Sequence, residues 1–165
     1  MYLVECKPDA TLVKSLTGTS RKNIIHAGNK TELLKGLTKH FTNSIGIVDE
    51  DPWSHQSPLL NKFKKVQNLT KCDIKIFCRK SGNNLLIMLC PRLEEWILKA
   101  AHEANVNPKD YGLPDDAEKL REQINIKTDK FQQLVEAIKL KSERLKKLRW
   151  YLLHGYEDRE EIIWT

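Results

Sequence analysis

Residues 45–53 read IGIVDEDPW, an apolar run that ends abruptly in three consecutive acids, Asp49, Glu50 and Asp51. The run has the length and β-branched content of a buried strand, and Pro52 closes it. Like charges placed side by side repel, and clustered carboxylates hold their protons more tightly unless a cation or a hydrogen-bond donor compensates. The stretch therefore predicts a strand whose end is built to meet a ligand.

Working outward, the first hundred residues alternate strand and helix signals in the manner of a parallel α/β unit. YLVE opens the chain as a short strand. The helical segment PDATLVKSL follows, with Pro8 and Asp9 in its first turn and Leu12, Val13 and Leu16 on one face. NIIHA reads as a second strand, and KTELLKGLTKHF as the next helix. Strand–helix–strand crossovers of this kind are right-handed and give parallel pairs. PWSHQS (52–57) reads as a loop and PLLNKFKKV (58–66) as a short basic helix. DIKIFC and NLLIMLC read as two further strands, joined by the short turn RKSGNN that allows one antiparallel pair. RLEEWILKAAHEA follows Pro91 as a helix.

Residues 105–116, NVNPKDYGLPDD, carry two prolines and a glycine and mark the best boundary in the chain. The expected organisation is an α/β domain over 1–104, a linker over 105–116 and a helical C-terminal extension over 117–165. The extension reads as helix to about residue 154. Phe131, Leu134, Ile138, Leu145, Leu148 and Leu152 form an a/d-like seam in it, which Lys141 interrupts. Packing of that seam back onto the α/β body is the preferred reading, because two heptads alone are marginal. A homodimer through the C-terminal helix is the alternative. The same helix carries Lys146, Lys147 and Arg149 in a basic run, read first as a solvated face and second as a nucleic-acid contact.

Composition fits this frame. The chain of 165 residues has 40% hydrophobic and 30% charged residues, which suits an ordinary globular domain with a proper core. LLIML at 85–89 is far too short to span a bilayer, and the N-terminus has no basic-then-apolar leader, so no membrane partner and a cytoplasmic location are expected. Cys6, Cys72, Cys78 and Cys90 show no CxxC spacing and read as reduced, largely buried thiols. A net charge of +6 is compatible with a nucleic-acid partner.

In open parallel sheets ligands bind at the carboxyl ends of the strands, at a switch point. Glu5 ends the first strand, and Asp49 and Asp51 end the third. If those strands are neighbours, the three carboxylates meet in one crevice. Residues i and i+2 of an extended segment share a side, so Asp49 and Asp51 face the site while Glu50 turns away. Hard oxygen donors with room for water suit Mg²⁺ or Mn²⁺ over zinc. Glu94 falls inside the apolar arc of its helix. Its partner is either a cation or capped amide near the helix start, or the same metal site. Lys7 and Lys30 follow strands one and two and face either solvent or a phosphate. His55 and Trp53 sit in the loop after the acids, where Trp53 can stack on a base or cover the loop.

Around these residues the chain resembles the Toprim family, the catalytic domain of topoisomerases, bacterial primases and a group of nucleases. LVECKPDATLVKSL matches the strand-ending Glu and its following helix, IGIVDED matches the family's DxD, and HAGNKTELL resembles its turn after strand two. The resemblance covers about residues 1–100. Cys6 stands where the family has Gly, and no Gly closes the DEDPWS loop. What the resemblance implies is a Toprim-like, mostly parallel open sheet with helices on both faces, and Mg²⁺- or Mn²⁺-dependent hydrolysis of nucleic acid, with DNA ahead of RNA. Glu5 would be general acid or base, or a second metal ligand, and Asp49, Asp51 and Glu94 would hold the ion. Lys7, Lys30, Lys146, Lys147 and Arg149 would contact nucleic acid. Some small Toprim proteins act beside an ATPase partner in phage defence, which this resemblance extends to the chain as an expectation. The alternative function is a non-catalytic or partner-dependent Toprim-like binding module. A phosphoacceptor receiver domain ranks third, since it would need an acid pair after strand one and a Lys ending strand five, where this chain has Glu5–Cys6 and Cys90–Pro91.

Overall fold

In a computed structural model, which describes residues 1–79 and 81–155, the chain forms one six-stranded open sheet with helices on both faces. The strands are β1 (Tyr2–Val4), β2 (Ile24–His26), β3 (Ile45–Asp49), β4 (Lys64–Leu69), β5 (Ile74–Arg79) and β6 (Asn84–Leu89), in the spatial order β2-β1-β3-β6-β5-β4. The first four in that order run parallel, and β5 and β4 add antiparallel strands at one edge. β6 lies inside the sheet and reads NLLIML, buried at every position, because both of its faces are covered.

Two apolar layers follow from the alternation of side chains along each strand. Val4, Ile47 and Ile87 point to one face and Leu3, Val48 and Leu86 to the other. The second face is covered by α2 (Lys30–Lys35), which continues as a π-helical turn through Gly36–His40. Its Leu33 and Leu37 come so close to β3 that a Cβ at Gly46 would lie 2.8 and 2.7 Å from their methyls. The first face is covered by α1 (Lys7–Thr17), α3 (Leu93–Glu103), α4 (Ala117–Ile124), α5 (Thr128–Ile138) and α6 (Glu143–His154).

The C-terminal segment is three helices where the sequence suggested one. Asp116 and Ser142 each accept a backbone N–H at the start of α4 and α6 and so begin new helices. Every member of the a/d-like seam, from Phe131 to Leu152, lies in the same apolar cluster as α1, α3 and the sheet. The seam packs into the chain's own core. Leu113, from the expected linker, is 2% exposed in that cluster. Residues 156–165 of the expected extension lie outside the described residues.

PLLNKFKKV is the other departure. Only Pro58–Lys62 is helical, as a short 3₁₀ segment, and Lys64–Leu69 pairs with β5 as an edge strand. The backbone of β5 needs a ladder partner on its outer side, and that demand outweighs a weak helical pattern. Lys64 and Lys65 on the resulting edge discourage pairing with further strands. No helix among the described residues is long and apolar enough to cross a membrane.

A candidate active site of clustered acids

β1 and β3 are neighbours, and the chain leaves them on opposite faces: α1 follows β1 on one side, while α2 precedes β3 on the other. Their carboxyl ends therefore form a switch-point crevice. Four acids gather there. Glu5 directly follows β1, Asp49 is the last residue of β3, Asp9 comes from the first turn of α1, and Glu94 from the first turn of α3.

Asp9 is the member that sequence reasoning left as an ordinary first-turn acid. Its Oδ2 accepts from the Cys6 backbone N–H at 3.3 Å and from Cys6 Sγ at 3.2 Å, a capping box that turns the carboxyl inward until it is 5% exposed. The signal was present as an acid three residues after the residue that starts the helix. Cys6 is thus a partner of this buried carboxylate.

Asp49 Oδ1 accepts from the Leu93 backbone N–H at 2.9 Å, so the start of α3 is tied to the end of β3. Glu5 Oε1 is buried without any hydrogen-bond partner among the described residues. The proton affinities reflect this crowding. Burial, then Asp9, Glu5 and Glu94, push Asp49 up to about 8 against the Leu93 hydrogen bond. Burial and the charge of Asp9 push Glu5 up to about 7, with Lys30 and hydrogen bonding to the Asp49 backbone opposing and Asp51 adding to the rise. Asp9 rises to about 6, first through burial, while its bonds to Cys6 pull the other way. Burial also raises Glu94, and Arg121 and Arg92 oppose it.

Asp51 reaches the rim of the crevice by a different route from the extended alternation of the sequence reading. β3 ends at Asp49, and Asp51 has a left-handed backbone with φ of 47°. Its Oδ2 accepts from Ser54 Oγ at 2.6 Å, and it stays close enough to raise the proton affinity of Glu5. Glu50 turns away and pairs with Lys75 of β5.

Lys30, at the start of α2, donates to the Glu50 carbonyl at 2.8 Å and to Gln56 Oε1 at 3.3 Å, while Gln56 Nε2 reaches the Asp51 carbonyl at 2.9 Å. These bonds fasten the 50–57 loop over the crevice and leave the Lys30 charge near Glu5. Trp53 is 70% exposed on that loop, with the Arg92 guanidinium 5.3 Å from its ring centroid. His55 is exposed. Lys7 is exposed at the start of α1. The basic run of α6 lies elsewhere: Lys146 pairs with Glu143 at 2.8 Å, and Arg149 Nε donates to the Leu16 carbonyl at the far end of α1 from Glu5. Lys147 is exposed on the same helix.

Among the described residues no three Asp, Glu, His or Cys side chains are disposed to close around one metal ion. The donors are nonetheless hard carboxylate oxygens, one of them buried and unpartnered. Mg²⁺ is commonly held by one or two carboxylates, with water and phosphate oxygens completing its shell. The donor set fits such an ion, with Asp49 and Asp51 as its carboxylates and Glu5 and Glu94 beside them. No known family, curated protein or solved structure matches this chain.

Proposed function

We propose that the acid crevice is a Toprim-type active site for hydrolysis of phosphodiester bonds in nucleic acid with Mg²⁺ or Mn²⁺. The observation that carries this reading is Glu5 Oε1, an orphaned buried oxygen beside Asp49 at the switch point of the sheet. Burying a carboxylate oxygen with no partner is costly, and such groups are retained where a ligand completes them. Asp49 and Asp51 would hold the ion, with Glu94 beside them and water and phosphate oxygens completing the shell, and the ion when bound would offset charge on the phosphate and the leaving oxygen. Glu5, with its proton affinity moved up to about 7, can exchange a proton with water or with the leaving oxygen near neutral pH. Lys30 offers a positive charge beside it, and the 50–57 loop limits water entry.

The runner-up, a non-catalytic Toprim-like binding module, is favoured by Cys6. Its thiol occupies Asp9 within hydrogen-bond distance, where an approaching phosphate would otherwise find space.

Two measurements separate the readings. Thermal melts in EDTA, Mg²⁺ and Mn²⁺ should show a divalent-dependent rise that Asp49→Asn abolishes. Labelled single- and double-stranded DNA and RNA should be cut by wild type and not by Asp49→Asn. Identical melts in all three buffers together with no cleavage, alone or with an ATPase partner, would leave the binding-module reading standing.

A further inference from the structure

The buried face of α1 faces the core, and its opposite face is basic. Lys7, Thr11 and Lys14 fall at i, i+4 and i+7, one stripe along the helix. With Arg21 from the 3₁₀ turn before β2, His26 at the end of β2 and Asp129 from α5, they line a groove of about 560 Å³. Lys7 lies two residues past Glu5, and His26 ends β2, so the groove opens at the sheet edge that carries the acids. Lys7 and Lys14 are about 10 Å apart along α1, close to the axial rise of three nucleotides in one strand.

Among the described residues, Lys7, Lys14 and Arg21 form no ion pair, whereas Lys146 is paired and Arg149 caps a backbone carbonyl. Cations gathered on the walls of a concave, low-dielectric groove focus a positive potential that scattered surface lysines do not. Among the described residues Asp129 is the one acid on the lining.

We propose that this groove binds the phosphate backbone of a polynucleotide and delivers it to the acid crevice, with Lys14 and Arg21 as contacts distant from the chemistry. Delivery rests on the hydrolytic reading above; binding does not. Among the described residues no Trp, Tyr or Phe lines the groove, so its contacts are mainly to phosphate, and binding is expected to depend little on base sequence.

The test is anisotropy of labelled single- and double-stranded DNA and RNA oligonucleotides in EDTA, between 50 and 200 mM salt, with the full chain. Lys14→Glu/Arg21→Glu should weaken binding at low salt and reduce the magnitude of the log–log salt slope by about 1.8 on duplex or about 1.4 on single strands, the loss of two phosphate contacts. Lys146→Glu/Lys147→Glu should leave affinity within about twofold. An unchanged slope in the groove variant, a larger loss in the α6 variant, or no binding by wild type overturns the proposal. Melting curves confirm that both variants fold. Bis(p-nitrophenyl) phosphate, a small diester with no need of a groove, keeps the two readings apart. Its Mg²⁺-dependent hydrolysis by wild type reads the crevice alone. A chain that binds polynucleotide through the groove but never hydrolyses this diester upholds the groove and sinks the crevice.

Discussion

The Leu93 backbone N–H donates to Asp49 Oδ1 at 2.9 Å, so one hydrogen bond joins the last residue of β3 to the first residue of α3. That bond also brings Glu94 against an acid already crowded by Glu5 and Asp9. Helix docking and carboxylate clustering are thus one structural event. The helix end supplies a donor but cannot neutralise the set, and the stability of the chain should depend on pH as a result.

The sign follows from proton binding. Glu5, Asp9 and Asp49 titrate at about 7, 6 and 8 in the folded chain, above the ordinary carboxylate range near 4. The folded state binds more protons than the unfolded state between roughly pH 4 and pH 8, so stability falls as pH rises through that window. Melts in chelator should show the melting temperature declining from pH 5 to pH 8, and Asp49→Asn should flatten the decline. The amide oxygen can keep the Leu93 bond while the charge is gone. Each 1 kcal/mol recovered raises the melting temperature by about 2–4 °C in a chain of this size. A wild-type profile that is level or rises across the window would show that the acids are already compensated.

Arg144 should behave unlike its neighbours in the basic run. Its guanidinium bonds Asp73 and Glu103, both at 2.6 Å, and its side chain is 10% exposed. Arg144→Met leaves Asp73 with Lys99 and Glu103 with the Ser142 hydroxyl as remaining partners, so the loss of two charge-assisted hydrogen bonds should cost about 2 kcal/mol. Lys146→Ala removes only an exposed pair with Glu143 and should leave stability nearly unchanged. Urea unfolding of the two variants makes the comparison, and equal costs would contradict the internal role of Arg144.

The same contrast shows what could be read in the sequence. The strands leading to Glu5 and Asp49 were legible because period and terminal charge are local, whereas the adjacency of β1 and β3 stood only as a condition that the sheet order meets. The inward turn of Asp9 was hidden because an acid in a helix's first turn is ordinary until its surroundings bury it. β4 was missed because an edge strand owes its existence to a partner distant in sequence, so KKVQNL carries little periodic signal of its own. Arg144 is a cation on the same helix as the basic run, and only the positions of Asp73 and Glu103 distinguish it.

The C-terminal helices should unfold with the sheet. Phe131 is fully buried among residues of α1, α3 and the strands. Phe131→Ala should cost about 3–5 kcal/mol. It should shift a single urea transition seen equally by far-UV dichroism and tryptophan fluorescence, the latter reporting in part from Trp96, which is buried in the same cluster. Two separated transitions in wild type would mean that the helical segment is an independent unit.

Lys30 offers the narrowest test of the crevice. Its charge lowers the proton affinity of Glu5, and its Nζ tethers the 50–57 loop through Glu50 and Gln56. Lys30→Met keeps the length of the side chain and removes the charge, so Glu5 should titrate above about 7 when followed by its carboxyl carbon resonance. Loss of the tether lowers stability at every pH. Loss of the charge lowers it only where Glu5 is ionised, so the variant should lose more stability relative to wild type at pH 8 than at pH 5. If the crevice is catalytic, the limb of the pH–rate profile that belongs to Glu5 should move to higher pH by the same amount as the resonance titration. A Glu5 titration that stays in place would mean that the loop tether is the whole contribution of Lys30 and that its charge does not act on the acids.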